Sequence, residues 1–470
     1  QAKEQRILRL AEGQGLTPLA SGIIQDVAQR KEVKKVVVLA DAHHKNTMEF
    51  PSSTAVAVED GIIPHLTSNS VNCGMALVRT NLMAGDLRER ELDRFYTLVR
   101  ASFPEGSCDP TITIPEVFEA ITRGAQWALQ RYELDEEQFA HVAQSTRPAY
   151  IPINECEVEA LHKMSHDVLE ESCHNFGAIG KSNHFIELQM VEDIVDRRVA
   201  DLFNVKAGQL LIMYHGGGGA YCGIIGNLFV PRKKGSWRGK YYNLTRRKIP
   251  FHLLTARSGK QLRKRLGFFF INRGLAHIPT YEEENRRLLT YDHFAMNYGY
   301  AYRIASLAMI RRALKQIAGS LELSLLYDLP HNLITREVIN GEEVYVHRHN
   351  ASPCYPAHVL SDHAIFGTTG QPVLLPGTNR TGSFLCVADH GAEHSLFSAD
   401  HGAGHTVKRF IQSGKSKRVN GVTRRYRYDT SEVELVNHYD DAGVRAVLDV
   451  LQASNIVRPV ARLRPIGCLT

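Results

Sequence analysis

Five short segments each set a histidine or a cysteine beside glycine or asparagine: SVNCGM (70–75), GKSNHFIE (180–187), MYHGGGG (213–219), DLPHNL (328–333) and DHGAGH (400–405). A metal or a phosphate needs a donor with a fixed direction and an open tip, and loops at strand ends supply both. The thiolate of Cys73 with several imidazoles suits Mn, Fe, Co or Zn, with geometry deciding among them. The spacing is long-range, so no short zinc signature is met. Each histidine reads equally as a hydrogen-bonded loop residue. For Cys73 the plainer reading is a small buried hydrophobe, the more common fate of a free cysteine.

The chain of 470 residues holds 22 His and 36 Gly at a net charge of +6. Its composition, 43% hydrophobic and 23% charged, excludes disordered, collagen-like and small disulfide-stapled classes. The eight cysteines are scattered and form no CxxC pair, which predicts a reduced, cytoplasmic protein. The first residues carry no apolar signal core. The longest weakly charged stretch, 208–231, is broken by His215, four glycines and Asn227. It predicts buried strands around a Gly-rich loop, not a membrane span.

Strands must deliver these residues. KKVVVLADAH (34–43) is a β-branched run that ends at Asp41 and His43. Further strands are expected at 53–63, 75–82, 185–193 and 209–215, and in EVYVHRH, PVLLPG and SFLCVA. Helical patterns cover 86–129 with a break at 103–115, 155–171 and 292–323. Strand and helix runs mix without strict alternation, which predicts an α+β fold with central β-sheets surrounded by helices. PRKKGSWRGKYYNLTRRK (231–248) holds eight Lys or Arg and no acid, with Trp237, Tyr241 and Tyr242 between them. GKQLRKR (259–265) and GKSKRVNGVTRRYRY (414–428) add to the basic surface. Cations that neutralise phosphates and aromatics that stack on bases point to nucleic acid, and a solvated basic face is the plainer alternative.

Taken together, LADAH, VNCGM, SNHFIE, YHGGGG, DLPHN, VHRHNA, PVLLPGTNRTGSF, HGAGH and VARLRPIG, in this order from about residue 35 to Gly467, resemble the RtcB-type RNA ligases. That family joins RNA ending in a 3′-phosphate or 2′,3′-cyclic phosphate to 5′-hydroxyl RNA. The resemblance implies one large catalytic domain over residues 1–470, with a helical insertion at about 280–325. It implies Mn²⁺ and GTP as cofactors, and RNA with those ends and an activating helper protein as partners. Cys73 would bridge two Mn²⁺ ions. His215 and His331 would complete one ion, and His184 would serve the other. His401 would take GMP from GTP. The guanine nucleotide would be held by Asn183, Glu187, Asn332, Pro376, Gly377, Thr378, Asn379, Ser383, Gly402, Ala403 and Gly404, with Tyr439 against the base.

Four departures from the family pattern stand out. Ser70 occupies the place of a metal-binding Asp, and a neutral hydroxyl is the poorer ligand. The loop 216–219 is all glycine where Ser and Arg are usual. His405 replaces an Arg, and Thr470 stands in the place of a near-terminal Lys. Lys45 could supply a substitute cation. The leading expectation is a divergent GTP- and Mn-dependent ligase in RNA (tRNA) repair. The alternatives are a non-ligating RNA-binding homologue and a metal-dependent cyclic-phosphate hydrolase.

Overall fold

The computed structural model describes residues 6–10, 16–44, 49–102, 108–139, 141–142, 161, 166–179, 183–230, 236–271 and 276–470. Two sheets carry the polar segments. The larger has nine strands. Seven run antiparallel in the spatial order Pro372–Leu375, Ser383–Ala388, Val457–Leu469, Phe185–Ile194, Gln209–Gly216, Gly74–Met83 and Leu323–Pro330. Arg418–Tyr426 joins the end of Val457–Leu469 in parallel and carries Glu434–Tyr439. The five-stranded sheet runs Ile7–Arg9, Val33–His43, Ser52–Val58, Glu342–His349 and Asn332–Ile339.

The strand patterns show how each sheet is covered. Gln209–Gly216 is buried at every position, as a near-continuous apolar run requires. Alternation sorts the strand Val33–His43 onto two faces. Val36 and Val38 enter one small apolar cluster with Val56 and Val58. Val37 and Leu39 enter another with Ala55, Ala57 and Val346. The large core cluster joins the nine-stranded sheet to a layer of helices.

Glu283–Lys315, a helix of 33 residues, runs through that layer against Glu89–Ser102, Ile114–Arg123, Ala125–Arg131 and Gly219–Phe229. Asp292 Oδ2 has no partner among the described residues, but burial of the helix's polar side chains favours hydrogen bonding. Asn297, for example, donates to the Ile121 carbonyl at 3.0 Å. A capping box of Thr113 and Glu116 starts Ile114–Arg123.

The α+β architecture is the one expected, and two expectations need correction. Only the first half of 208–231 is strand, because Gly219–Phe229 is a buried helix. A short apolar run does not separate a buried strand from a buried helix by period. The long helix occupies Glu283–Lys315, not 292–323. Glu283 and Glu284 in its first turn favour the earlier start, and 323–330 is strand. Of the helix expected at 155–171, residues 155–160 and 162–165 lie outside the described residues; His166–His174 is helical. Lys45 also lies outside them.

Candidate functional site

Strand register alone brings the ligand candidates to one end of the larger sheet. Gly74 pairs with Gly216 on one side and with Pro330 on the other. Cys73, one residue earlier, therefore sits between His215 and His331. His215 pairs with Phe185, which puts His184 next in line. After Pro330 the chain leaves this sheet and joins the smaller one at Asn332, so His331 is the joint between the two. Its N–H donates to the Cys73 carbonyl at 2.9 Å, and its own carbonyl accepts from Ala351 at 3.0 Å.

Cys73 Sγ lies 3.2 Å from His215 Nε2, which lies 3.3 Å from His331 Nε2. All three residues are buried, and their donor atoms lie within 4.8 Å of one another. Donors around one ion at ~2.0–2.3 Å are roughly 3–3.7 Å apart, so this spacing fits a single cation. His215 Nδ1 faces the Asn183 carbonyl at 2.8 Å, which turns the Nε2 lone pair toward the centre. Burial holds His215 and His331 well below the ordinary imidazole range, so both are neutral at pH 7. Burial pushes the Cys73 thiol up to about 11. A cation binding there displaces its proton.

His184 stands on the far side of Cys73, with Nε2 at 3.5 Å from the sulfur, and outside the three-donor set. Burial lowers it to about 4. Ser70 hydrogen-bonds Cys73. A Cβ at Gly217 would approach the His184 ring at 3.2 Å and Ser70 Oγ at 3.8 Å, so this glycine keeps a small space open between them.

A buried arginine supports the centre from beneath. Arg303 donates to Asp328 Oδ1 at 2.7 Å, to the Asn72 carbonyl at 2.7 Å and to Asn72 Oδ1 at 2.9 Å. Asn72 adopts φ 51°, the left-handed turn that presents Cys73. Gly74 is required here, because a Cβ would lie 2.8 Å from the Arg303 guanidinium carbon. Motif reading misses this ion pair. Its only signal is an arginine within an apolar helix.

His401 follows the short strand Ser398–Asp400, which pairs with Ala351–Pro353 just beyond His331. Its ring lies 4.7 Å from that of His331. Asp400 accepts from the backbone N–H of Ala40 at 3.0 Å and of Asp41 at 2.9 Å. The Asp41 carboxylate in turn accepts from the Thr406 N–H at 2.7 Å and the Thr406 hydroxyl at 2.6 Å, capping Gly404–Gln412. Burial raises both acids, Asp400 to about 7. His405 stacks on His43 at 4.3 Å. His349, buried nearby and lowered to about 3, joins a cluster of imidazoles that sequence reading does not assemble.

The expected nucleotide residues converge on the same place. The Pro376 carbonyl accepts from Ala403 at 2.9 Å, between Gly402 and Gly404. Gly377 N–H donates to Ser383 Oγ at 3.1 Å. Gln189 Nε2 donates to Ser383 Oγ at 3.4 Å and to Glu187 Oε2 at 2.6 Å. Burial raises the Glu187 carboxyl to about 7. Thr378 and Thr381 cross-bond around the turn that holds Asn379. Tyr439 N–H donates to the Arg380 carbonyl at 2.7 Å. Asn332 is engaged at both ends, donating to the Ser70 carbonyl at 3.1 Å and accepting from Asn350 N–H at 2.8 Å. Asn183 is exposed at the rim. Thr470 Oγ1 accepts from Arg425 at 3.0 Å, which brings a guanidinium to the position where a lysine was expected.

A buried thiol–imidazole centre, abutted by two further histidines and a glycine-lined loop, is a candidate metal-dependent group-transfer site. The chain matches the family model described as tRNA-splicing ligase RtcB over residues 24–470, and it belongs to that family. It is 26% identical over 461 residues to the tRNA-splicing ligase RtcB of Pyrobaculum aerophilum, covering 92% of this chain and 86% of that protein. It is 23% identical over 463 residues to that of Thermococcus kodakarensis, covering 92% and 87%. The match to the Pyrococcus abyssi protein is 26% over 439 residues, 87% of this chain but 42% of that longer relative. Among the described residues, no helix is long and apolar enough to cross a membrane.

Proposed function

We propose that this RNA ligase joins RNA 3′-phosphate or 2′,3′-cyclic phosphate ends to 5′-hydroxyl ends through a guanylylated His401, in the repair of cleaved RNA such as tRNA. The observation that carries the reading is the contact of His401 with His331, which puts a nucleophile at the edge of the three-donor centre. Residues 1–470 act as one catalytic unit, since the site draws on positions from 73 to 439.

Cys73, His215 and His331 would hold Mn²⁺, which would supply charge withdrawal from the triphosphate. The His401 imidazole attacks the α-phosphorus of GTP; the N–P bond forms as the bond to pyrophosphate breaks. The RNA 3′-phosphate oxygen then takes GMP from His401. The 5′-hydroxyl finally attacks that activated phosphate, losing its proton as GMP leaves. A cyclic phosphate is first opened by water. Asp41 already occupies the N–H groups of His405 and Thr406, and Pro376 that of Ala403. The close backbone approach to phosphate therefore falls to Gly402 and Gly404. Glu187 and Asn183 face the guanine and Tyr439 stacks on it, with Thr378, Asn379 and Ser383 shaping its loop and Asn332 bracing Ser70.

Incubation with α-labelled GTP and Mn²⁺ should label the wild type and leave His401→Ala unlabelled. No label at any divalent metal rejects the reading. The absence of a carboxylate at Ser70 favours a second reading, an RNA-binding homologue that does not ligate. Joined product from 3′-phosphate and 5′-hydroxyl RNA with pure wild type excludes it.

A further inference from the structure

Residues 236–271 hold ten Lys or Arg and no Asp or Glu. They fold into a helical hairpin, with Trp237–Tyr242 passing through wider turns at Asn243–Lys248 and Pro250–Leu254 before the return arm Gly259–Leu266. The inner face is anchored. Phe229 packs against Phe251, His252 and Phe269, and His252 Nε2 meets the Leu228 carbonyl at 3.0 Å. Arg265 pairs with Glu284 in the core, and Arg247 with Glu171.

The outer face presents aromatic rings and cations together. Trp237 is 76% exposed and Tyr241 56% exposed, yet their rings stack on each other at 5.5 Å and 13°. The Arg247 guanidinium lies 5.2 Å over the Tyr242 ring. Arg238, Arg246, Arg257, Lys260 and Arg263 are exposed, and no ion pair to them occurs among the described residues. Flat aromatic faces between uncompensated cations are what successive bases and phosphates bind.

Position connects this face to the chemistry. The helix Gly219–Phe229 starts at the glycine loop beside His184 and ends beneath the hairpin. Its 11 residues span about 16 Å. We infer that the outer face of the 236–271 hairpin is a second RNA-binding surface, which stacks and neutralises single-stranded RNA a few nucleotides away from the reacting end. The inference rests on the RNA-ligase reading but concerns a surface outside the reaction centre. Leu254 and Ile271, 77% and 70% exposed, are what an anionic membrane would engage instead.

The test is fluorescence anisotropy without GTP, using a labelled single-stranded RNA long enough to cross the helix and a dinucleotide, both 3′-phosphorylated. The doubly substituted Trp237→Ala/Tyr241→Ala protein should bind the long RNA about tenfold or more weakly. Its affinity for the dinucleotide should not change. Trp237→Phe/Tyr241→Phe should restore long-RNA binding. Arg238→Ser/Arg246→Ser should flatten the log–log salt slope by about 0.7 for each phosphate that is no longer neutralised. Guanylylation by α-labelled GTP needs no RNA, so it should be unaltered in every variant. Unchanged long-RNA affinity in the folded alanine variant overturns the inference. So does weaker binding to phosphatidylserine vesicles with RNA affinity intact. If the wild type binds long RNA through this face but takes no label, the ligase reading fails and the surface stands.

Discussion

The two sides of Cys73 differ in kind. Toward His215 and His331 the sulfur faces two neutral imidazoles, one oriented by a backbone carbonyl, at spacings that suit one ion. Toward His184 it faces one imidazole and the Ser70 hydroxyl, with no carboxylate in the set. A hard divalent cation gains most from anionic oxygen, so the second side lacks the donor that would offset desolvation of the ion. The family's scaffold is kept on both sides, while the convergent donor set that could hold a cation, Cys73 with His215 and His331, lies on one.

The largest expected effect tests the strong side. His331→Ala removes one of three convergent donors and leaves the space filled only by water. Manganese content after gel filtration should fall from about one ion per chain to near none, with at least a hundredfold loss in affinity by calorimetry. His184→Ala should leave the firmly bound ion in place and change its affinity by less than about tenfold. Equal losses from the two substitutions would erase the distinction between the sides.

The converse substitution sharpens the comparison. Ser70→Asp puts a carboxylate beside Cys73 and His184, where Gly217 leaves room. Manganese stoichiometry should move from about one toward two, read by elemental analysis with no need for activity, and the new site should bind roughly tenfold or more tightly than any weak second site in wild type. A stoichiometry that stays at one would mean that the obstacle is geometry and not the missing charge.

How much of this was legible follows from the range of each interaction. The strand ends near Asp41 and His215 were readable because apolar runs stop there at polar residues; the strand Leu323–Pro330 before His331 was not, because the helical pattern of 292–323 runs on into its first residue. The α+β character was readable for the same reason. The helix Gly219–Phe229 was not, since an apolar run of that length carries no period that separates it from a strand. The Arg303–Asp328 pair and the Asp400 carboxylate that holds Ala40 and Asp41 join residues far apart in sequence. Such contacts leave no local pattern. Register was equally silent: nothing in SVNCGM says that Cys73 will lie between two particular histidines until Gly74 is paired with Gly216 and Pro330.

The smallest effect concerns the strand that carries the weak side. Glu187 lies three residues past His184, buried, with its carboxyl raised to about 7 by desolvation despite the hydrogen bond from Gln189. In the proposed mode Glu187 would accept N–H donors of the guanine, so binding would favour the ionised form. Below pH 7 the free protein holds Glu187 protonated, and on that reading each nucleotide bound would release the proton. GTP affinity should therefore be nearly flat above about pH 8 and weaken as pH falls through 7, by up to about tenfold per unit below it. Glu187→Gln cannot ionise, so its weaker binding should lose this slope while His184→Ala keeps it. Calorimetry in buffers of different ionisation enthalpy at pH 6 would show the proton released on binding in wild type and none in Glu187→Gln. A wild-type slope that survives in Glu187→Gln would assign the titration to another group, and with it remove Glu187 from the guanine.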